Sequence, residues 1–504
     1  MNIKSVAYIL GWILIIEAAL MGLPFAAAVI YREKEGFAFF VTMAICALVG
    51  SMLTNRRVSS QHIYAREGFV ATALSWIVMS VFGCLPFFLS GEIPRFIDAL
   101  FETVSGFTTT GASILSDVEG MSHCCMLWRC FTHWIGGMGV LVFLLAVLPM
   151  VGGTNMHLMK AESPGPVVGK LVPKVSYTAR ILYMLYVFLT ILEFVLLVLG
   201  GMIPFEAICT AFGTAGTGGF GFRNDSFASF SGYIQWVVAI FMILFGVNFN
   251  VYFLVFMKKL RQALACEEMR WYLGIIAAAT LLIFMNAFDA AQTVEANLRT
   301  SVFQVATIIT TTGFATANFD AWPTFSRFLL VLLMFIGACA GSTGGGLKVS
   351  RWVMSAKAMG SYVGSFLHPR SVRRVRFEDK DVEKETLHAI YVYFMGVFFI
   401  FVGSMAFLTL ENMDLVSTFT AVAATFNNIG PGLNLVGPTC NFGFLSDLSK
   451  VVLIFDMLAG RLEVFPMLML LYPPLWKEAF TEHKRKKRRT EIAQRGLREK
   501  GEKR

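Results

Sequence analysis

Four stretches of this chain, Ile181–Leu199, Ile234–Phe256, Leu273–Ala287 and Ala389–Leu408, hold one charged residue between them, Glu193. An α-helix needs about 20 apolar residues to cross about 30 Å of hydrocarbon. Lipid offers no partner to backbone N–H and C=O groups, so such segments must satisfy their own, as helices. Composition agrees: 56% of the 504 residues are hydrophobic and 15% are charged, against roughly 25% charged in a soluble domain. The fold class this predicts is an all-α integral membrane protein.

The net charge of +9 lies between the spans. Arg56, Arg57 and Arg66 follow a first hairpin, Val6–Ile30 and Phe37–Leu53. Lys160, Lys170, Lys174 and Arg180 form a second group, and Lys258, Lys259, Arg261 and Arg270 a third. Arg370, Arg373, Arg374, Arg376, Lys380 and Lys384 form a fourth, and Lys484–Arg489 is a basic tail. The positive-inside rule puts all of them, with both termini, in the cytoplasm. A charge spread this way excludes nucleic acid as a partner. The opposite segments are acid-leaning, with Asp98, Asp117, Glu206, Glu295 and Asp447 among them, and predict a negative outer mouth that concentrates cations. Lys4, an apolar run and Ala26-Ala27-Ala28 imitate a signal peptide, but Glu17 interrupts the run and a second span follows at once, so a retained hairpin is expected. Nine scattered cysteines without CxxC spacing predict neither zinc nor a disulfide framework.

Four internal segments align. They begin at Asp98, Glu206, Thr300 and Ser417, and each reaches a glycine at the same offset, since 111 − 98, 219 − 206, 313 − 300 and 430 − 417 all equal 13. Asp98, Thr300 and Ser417 are good N-caps, with Glu206 the weak one. A helix of about ten residues is only about 15 Å long, half a bilayer. Such a half-helix aims its partially negative C-terminus at the membrane centre, which favours a cation there. After it come small or hydroxyl residues: Thr109, Thr110 and Gly111; Thr217, Gly218 and Gly219; Thr311, Thr312 and Gly313; and, less regularly, Asn428, Ile429 and Gly430. Four extended runs of this kind can ring an axis with backbone carbonyls that replace the hydration shell of potassium.

Phe107–Ser113, Thr217–Gly221, Thr310–Ala315, Phe426–Leu433, Gly341–Lys348 and Gly460–Glu463 together resemble the TrkH/KtrB superfamily of potassium transporters. The extra N-terminal hairpin places the resemblance on its TrkH branch. The resemblance implies four helix–pore loop–helix repeats around one pore: a hairpin over 1–60, repeats over 61–157, 158–262, 263–366 and 367–480, and a basic cytoplasmic tail over 481–504. It further implies potassium as the transported ligand with no organic cofactor, a homodimer in membrane lipid, and a cytosolic nucleotide-binding regulatory subunit of the TrkA type. The expected location is the bacterial cytoplasmic membrane. Some plant relatives with serine at the first filter glycine favour sodium, so Gly111 implies the potassium type; a sodium-selective or ion-coupled carrier is the alternative.

Met334–Met359 starts as a span and then reaches Gly344-Gly345-Gly346, each glycine about 1 kcal/mol poorer in a helix than alanine. The residues alone allow either close helix packing or an unwound stretch on a water-filled path. The resemblance implies the second, an intramembrane gate built from Gly341, Gly344, Gly345, Gly346 and Lys348. Arg461, in a span with Asp456 and Glu463, reads as a structural ion pair or a pore charge; the resemblance implies the latter. Asn248 and Asn250 line the pore or bond between helices, and His133 is expected to be a hydrogen-bonded structural residue. No HExxH, nucleophile elbow or carboxylate-rich metal motif appears, so no enzyme is expected.

Overall fold

The computed structural model describes residues 3–55, 65–147, 175–368 and 373–477. The predicted tail 481–504 and the loop cations Arg56, Arg57, Lys160, Lys170, Lys174 and Arg370 lie outside the described residues.

Among the described residues the chain is helical apart from a short hairpin pairing Arg376–Phe377 with Lys380–Asp381. Among the described residues, six helices are long and apolar enough to cross a membrane, seven if one bent pair is a single span. Ile3–Tyr31 and Gly36–Thr54 form the N-terminal hairpin. Its connecting loop docks on the first repeat, where the Glu33 carboxylate accepts from the His123 and Cys124 amides at 2.7 and 2.9 Å. These are free N–H groups at the start of a helix, where a carboxylate is favoured by both hydrogen bonding and the helix dipole.

Four triads follow. The outer helices are Ala65–Gly83 with Leu85–Ser90, Val175–Leu199, Glu267–Asn286 and Lys384–Leu408. The pore helices are Phe96–Phe107, Pro204–Gly216, Val294–Ile309 and Leu415–Phe426. The inner helices begin at His123, Gly232, Thr324 and Asp447.

The pore helices start earlier than their sequences suggest. Asp98 and Glu206 lie in the first turn of their helices, and Thr300 and Ser417 lie inside theirs. The true caps are Thr293, accepting from the Ala296 amide at 3.1 Å, and Asp414, accepting from Ser417 at 3.0 Å. Pro204 opens the second helix, where its missing N–H is no loss. Asp98 instead binds the buried Lys450 ammonium at 2.6 Å, tying the first repeat to the fourth.

Three inner helices break. Gly232–Phe245 and Phe249–Phe256 bend by 91° where Ile234–Phe256 reads as one span. Thr324–Ile336 stops at Gly337, and helix resumes only at Val349. Asp447–Arg461 is separated from Phe465–Leu471 by Glu463 and Val464, both at positive φ. The first inner helix, His123–Val147, is continuous.

Candidate functional site

All four pore helices end alike. Thr109, Thr217, Thr311 and Asn428 adopt φ of 54°, 53°, 60° and 56°. The amide of the following residue bonds back to Ser105, Gly213, Thr307 and Ala424 carbonyls at 2.8–2.9 Å. This is the Schellman ending, with threonine or asparagine where glycine is usual. A left-handed non-glycine residue costs of order 1–3 kcal/mol and persists only where its surroundings hold it.

Each is held by its side chain. Thr109 Oγ1 accepts from Arg461 at 3.0 Å, and Thr311 Oγ1 accepts from the Gly345 amide at 2.6 Å. Thr217 donates to the Gly216 carbonyl at 2.6 Å. Asn428 Nδ2 donates to Thr110 Oγ1 and the Met457 carbonyl, both at 2.9 Å.

The glycine two residues further on is also left-handed in every loop: φ is 78° at Gly111, 84° at Gly219, 87° at Gly313 and 97° at Gly430. A Cβ on Gly111 would collide with the Gly218 carbonyl oxygen, one on Gly219 with that of Thr312, and one on Gly313 with that of Ile429. A Cβ on Gly430 would lie 2.7 Å from the Thr110 oxygen. The neighbour relation runs through the four loops and returns to the first. Only four strands around one axis, in chain order, produce that.

Different groups brace the strands from behind. Glu102 accepts from the Ile114 amide at 2.9 Å and binds Arg129 at 2.6 Å, both side chains being buried. Arg129 in turn donates to the Gly221 carbonyl of the second loop at 3.2 Å and stacks on Phe220. A buried pair of this kind is valuable as a fixture; removing one partner strands the other charge, typically at 3–5 kcal/mol. In the third loop Gln304 takes the corresponding place; with its amide turned so that the oxygen faces the loop, that oxygen accepts from the Thr316 amide at 2.9 Å. His133 braces the second. Nδ1 lies 2.8 Å from the Gly106 carbonyl, and Nε2 accepts from the Phe220 amide at 3.2 Å. Donating at one nitrogen and accepting at the other makes it neutral.

Below the ring, the broken inner helices meet. The loop 337–348 donates from Cys339 to the Gly246 carbonyl at 3.1 Å, while Phe249 donates back to Gly341 at 3.0 Å. Asn248 caps the second half-helix, accepting from Asn250 at 2.9 Å. Lys348 is buried at positive φ and donates to the Gly344 carbonyl. Arg461 crosses beneath the first loop and donates to Thr109, to the Thr343 carbonyl at 2.9 Å and to the Gly136 carbonyl at 2.7 Å. Of the two carboxylates in the same span, Glu463 pairs with Arg351 at 2.5 Å and Asp456 accepts from Ser404 at 2.6 Å.

Above the ring lies an open vestibule of about 220 Å³ whose floor includes Gly111, Gly219, Gly313 and Gly430. Its wall includes Arg129, Arg223 and Asn224 and no carboxylate. The acid-leaning residues of this side lie behind that lining, in ion pairs and hydrogen bonds. Asp98, Asp447, Glu206 and Glu295 sit in ion pairs with Lys450, Arg95, Arg223 and Arg299. Asp117 accepts from Asn224, which holds its carboxyl below the usual range.

All twelve predicted filter residues thus sit in the four loop strands whose glycines form the ring, and all six predicted gate residues sit in the loop and arginine beneath it. The sequence reading missed the supports: Glu102, Arg129, Gln304, and the capping role of Asn248. The signal for Glu102 and Gln304 was available, since both stand four residues into their aligned segments.

The family model for TrkH, described as a cation transport protein, matches residues 35–477. The chain is 36% identical over 490 residues to the Trk system potassium uptake protein TrkH of Salmonella typhimurium, covering 95% of this chain and 100% of that one. It is 32% identical over 492 residues to the Trk system potassium uptake protein TrkG of Escherichia coli, covering 94% and 99%. The crystal structure of the potassium transporter TrkH from Vibrio parahaemolyticus superposes with a TM-score of 0.85 at 32% identity, covering 94% of this chain and 100% of that one.

Proposed function

The chain belongs to the TrkH family of cation transport proteins, and from that premise we propose that it takes up potassium through the ring of four glycine-ended strands. It is a transporter rather than an enzyme. The observation that supports the reading best is the closed neighbour relation of Gly111, Gly219, Gly313 and Gly430. Carbonyls brought round one axis at this spacing offer oxygen ligands in place of water, and the four pore-helix C-termini add their negative ends beneath them. The left-handed backbone lets successive carbonyls face the axis while hydroxyls and amides are bonded outward.

Arg461 and the loop 337–348 form the gate in this reading. A cation about 5 Å from the guanidinium, at an effective dielectric of about 20, meets roughly 3 kcal/mol of repulsion. The loop meanwhile occupies the space under the third strand. Opening requires Gly345 to release Thr311 and Arg461 to release Thr343.

The protein works, on this proposal, as a homodimer in the bacterial cytoplasmic membrane with both termini inside. A TrkA-type nucleotide-binding subunit acts on its cytosolic face, and the repeat boundaries are those predicted above. Gly111→Ser tests the ring. The added side chain must displace the Gly218 carbonyl, so rubidium uptake into proteoliposomes should fall at least tenfold and the rubidium-to-sodium ratio should drop. An unchanged ratio in folded protein would place the filter elsewhere.

A further inference from the structure

We propose that Glu268 is the positioning residue that pins the intramembrane loop shut, and that the cytosolic hairpin 376–381 sets its place. The inference rests on reading the loop 337–348 as a gate.

Glu268 stands in the first turn of the third outer helix and is 3% exposed. One carboxylate oxygen, Oε1, accepts from the Ala340 amide at 2.7 Å and the Ser350 amide at 3.2 Å. These two amides flank the glycine-rich part of the loop, 341–346. Ala340 precedes the glycines, and Ser350 lies in the first turn of the half-helix Val349–Leu367. A carboxylate at a helix N-terminus is favoured by the dipole, and hydrogen bonds to a charged acceptor are the stronger kind. Both sides of the glycine-rich part therefore hang on one atom that belongs to neither. The loop cannot swing out from under Thr311 without stretching at least one of these bonds.

The turn that bears Glu268 is itself held from the cytosol. Glu378 Oε1 accepts from the Glu268 amide at 3.2 Å and from the Cys266 thiol at 3.2 Å. The neighbouring Glu267 pairs with Lys357, which also donates to the Arg376 carbonyl at 2.9 Å. Glu378 and Asp379, the two turn residues of the hairpin, have φ of 52° and 57°. That is the strained pattern of a tight hairpin turn, adopted here by residues other than glycine or asparagine. The strain is sustained where it lands the Glu378 carboxylate on a helix N-terminus. A continuous path of bonds runs from hairpin to Glu378, to the first helical turn, to Glu268 and to the loop. A push on the cytosolic hairpin reaches the gate without passing through the ion path.

The loop contains its own reporter, the fully buried Cys339. In reconstituted protein, Glu268→Ala should raise rubidium uptake about tenfold, equivalent to about 1.4 kcal/mol in the closed–open balance. It should also speed thiol labelling of Cys339, resolved by peptide mass, with buried Cys46 as the internal control. Glu268→Gln retains an acceptor oxygen and should fall between. Glu378→Ala, at the cytosolic face, should act in the same direction by a few-fold and keeps the test open if Glu268→Ala does not fold. Deletion of Ala340–Gly346 is measured alongside. If the deletion raises uptake while the Glu268 and Glu378 variants leave uptake and Cys339 labelling at wild-type levels, the pin is wrong and the gate survives. If the deletion itself fails to raise uptake, the gate reading falls and this inference with it. A Glu268 of purely scaffolding use predicts lower uptake and a lower melting temperature in every variant, which would also overturn it.

Discussion

Loops one and three of the ring differ from loops two and four in how they hold one backbone shape. In the first and third, a pair of hydroxyls two residues apart bridge each other, Thr108 to Thr110 and Thr310 to Thr312, both at 2.8 Å. In the second, Gly218 stands at the matching position, and a Cβ there would fall inside the ring of His133. In the fourth the position is Ile429, fully buried, and Asn428 does the bracing by reaching Thr110 of the neighbouring first loop. The backbone angles hardly differ among the four. Side-chain identity at a carbonyl ring is therefore free to vary provided the volume behind the strand is filled and the amides are bonded. The contacts from beneath follow the same division: Arg461 holds Thr109 and Gly345 holds Thr311, on opposite sides of the ring.

Several substitutions would break or sharpen this contrast. The most damaging is Gly218→Thr, which gives loop two the residue of loops one and three. It should abolish uptake and lower the melting temperature, because overpacking against a fixed ring typically costs 1–3 kcal/mol. Pairing it with His133→Ala should recover part of the loss, and a double-mutant cycle that comes out additive would mean the two positions do not share space. Arg461→Ala comes next, with rubidium uptake rising about tenfold at near-normal stability if the arginine is a barrier. Reduced uptake with a lower melting temperature would instead mark it as scaffolding for Thr109 and Gly136.

Thr110→Val should cost more than Thr312→Val. Both lose a hydroxyl bridge, but Thr110 also accepts from Asn428, so about 1–2 kcal/mol is expected against about 1 kcal/mol. Growth at limiting potassium and thermal melting both report it, and a reversed order would show that the two strands are not supported as described. Ile429→Val is the mildest, removing one methylene at about 0.5–1.5 kcal/mol with uptake retained. Loss of uptake there would mean that the side chain, rather than the carbonyl, matters in loop four.

The repeats were legible because a thirteen-residue offset to glycine survives in all four copies, and glycine has a backbone reason to stay. The starts of the pore helices were not. Asp98 and Ser417 have cap chemistry, yet Lys450 of the fourth repeat claims the first, and Asp414, three residues earlier, is the cap that holds the second. The bend at Gly246–Asn248 was hidden by unbroken hydrophobicity, although an asparagine following glycine inside a span is a start signal for a new helix. His133 was read correctly as a bonded histidine, but nothing local tells that it substitutes for a threonine of another repeat. Glu268 was invisible for a similar reason. Its partners are the backbone amides of Ala340, in a distant loop, and Ser350, at the start of the helix after it, and amides leave no mark in a sequence.

The closing contact of the ring, Gly430 against Thr110, joins the last repeat to the first. The pairs Lys450–Asp98 and Arg95–Asp447 join the same two repeats. A ribosome therefore delivers three quarters of the ring before the surface that seals it exists. A chain cut short before Leu415 has three strands and an open side, with the Thr110 carbonyl lacking its neighbour. Such a fragment lacks the strand that closes the ring. On the proposed reading of the ring as the ion path, joining the four repeats covalently makes completion of synthesis the condition for conduction, a safeguard that a tetramer of separate subunits would have to obtain from assembly instead.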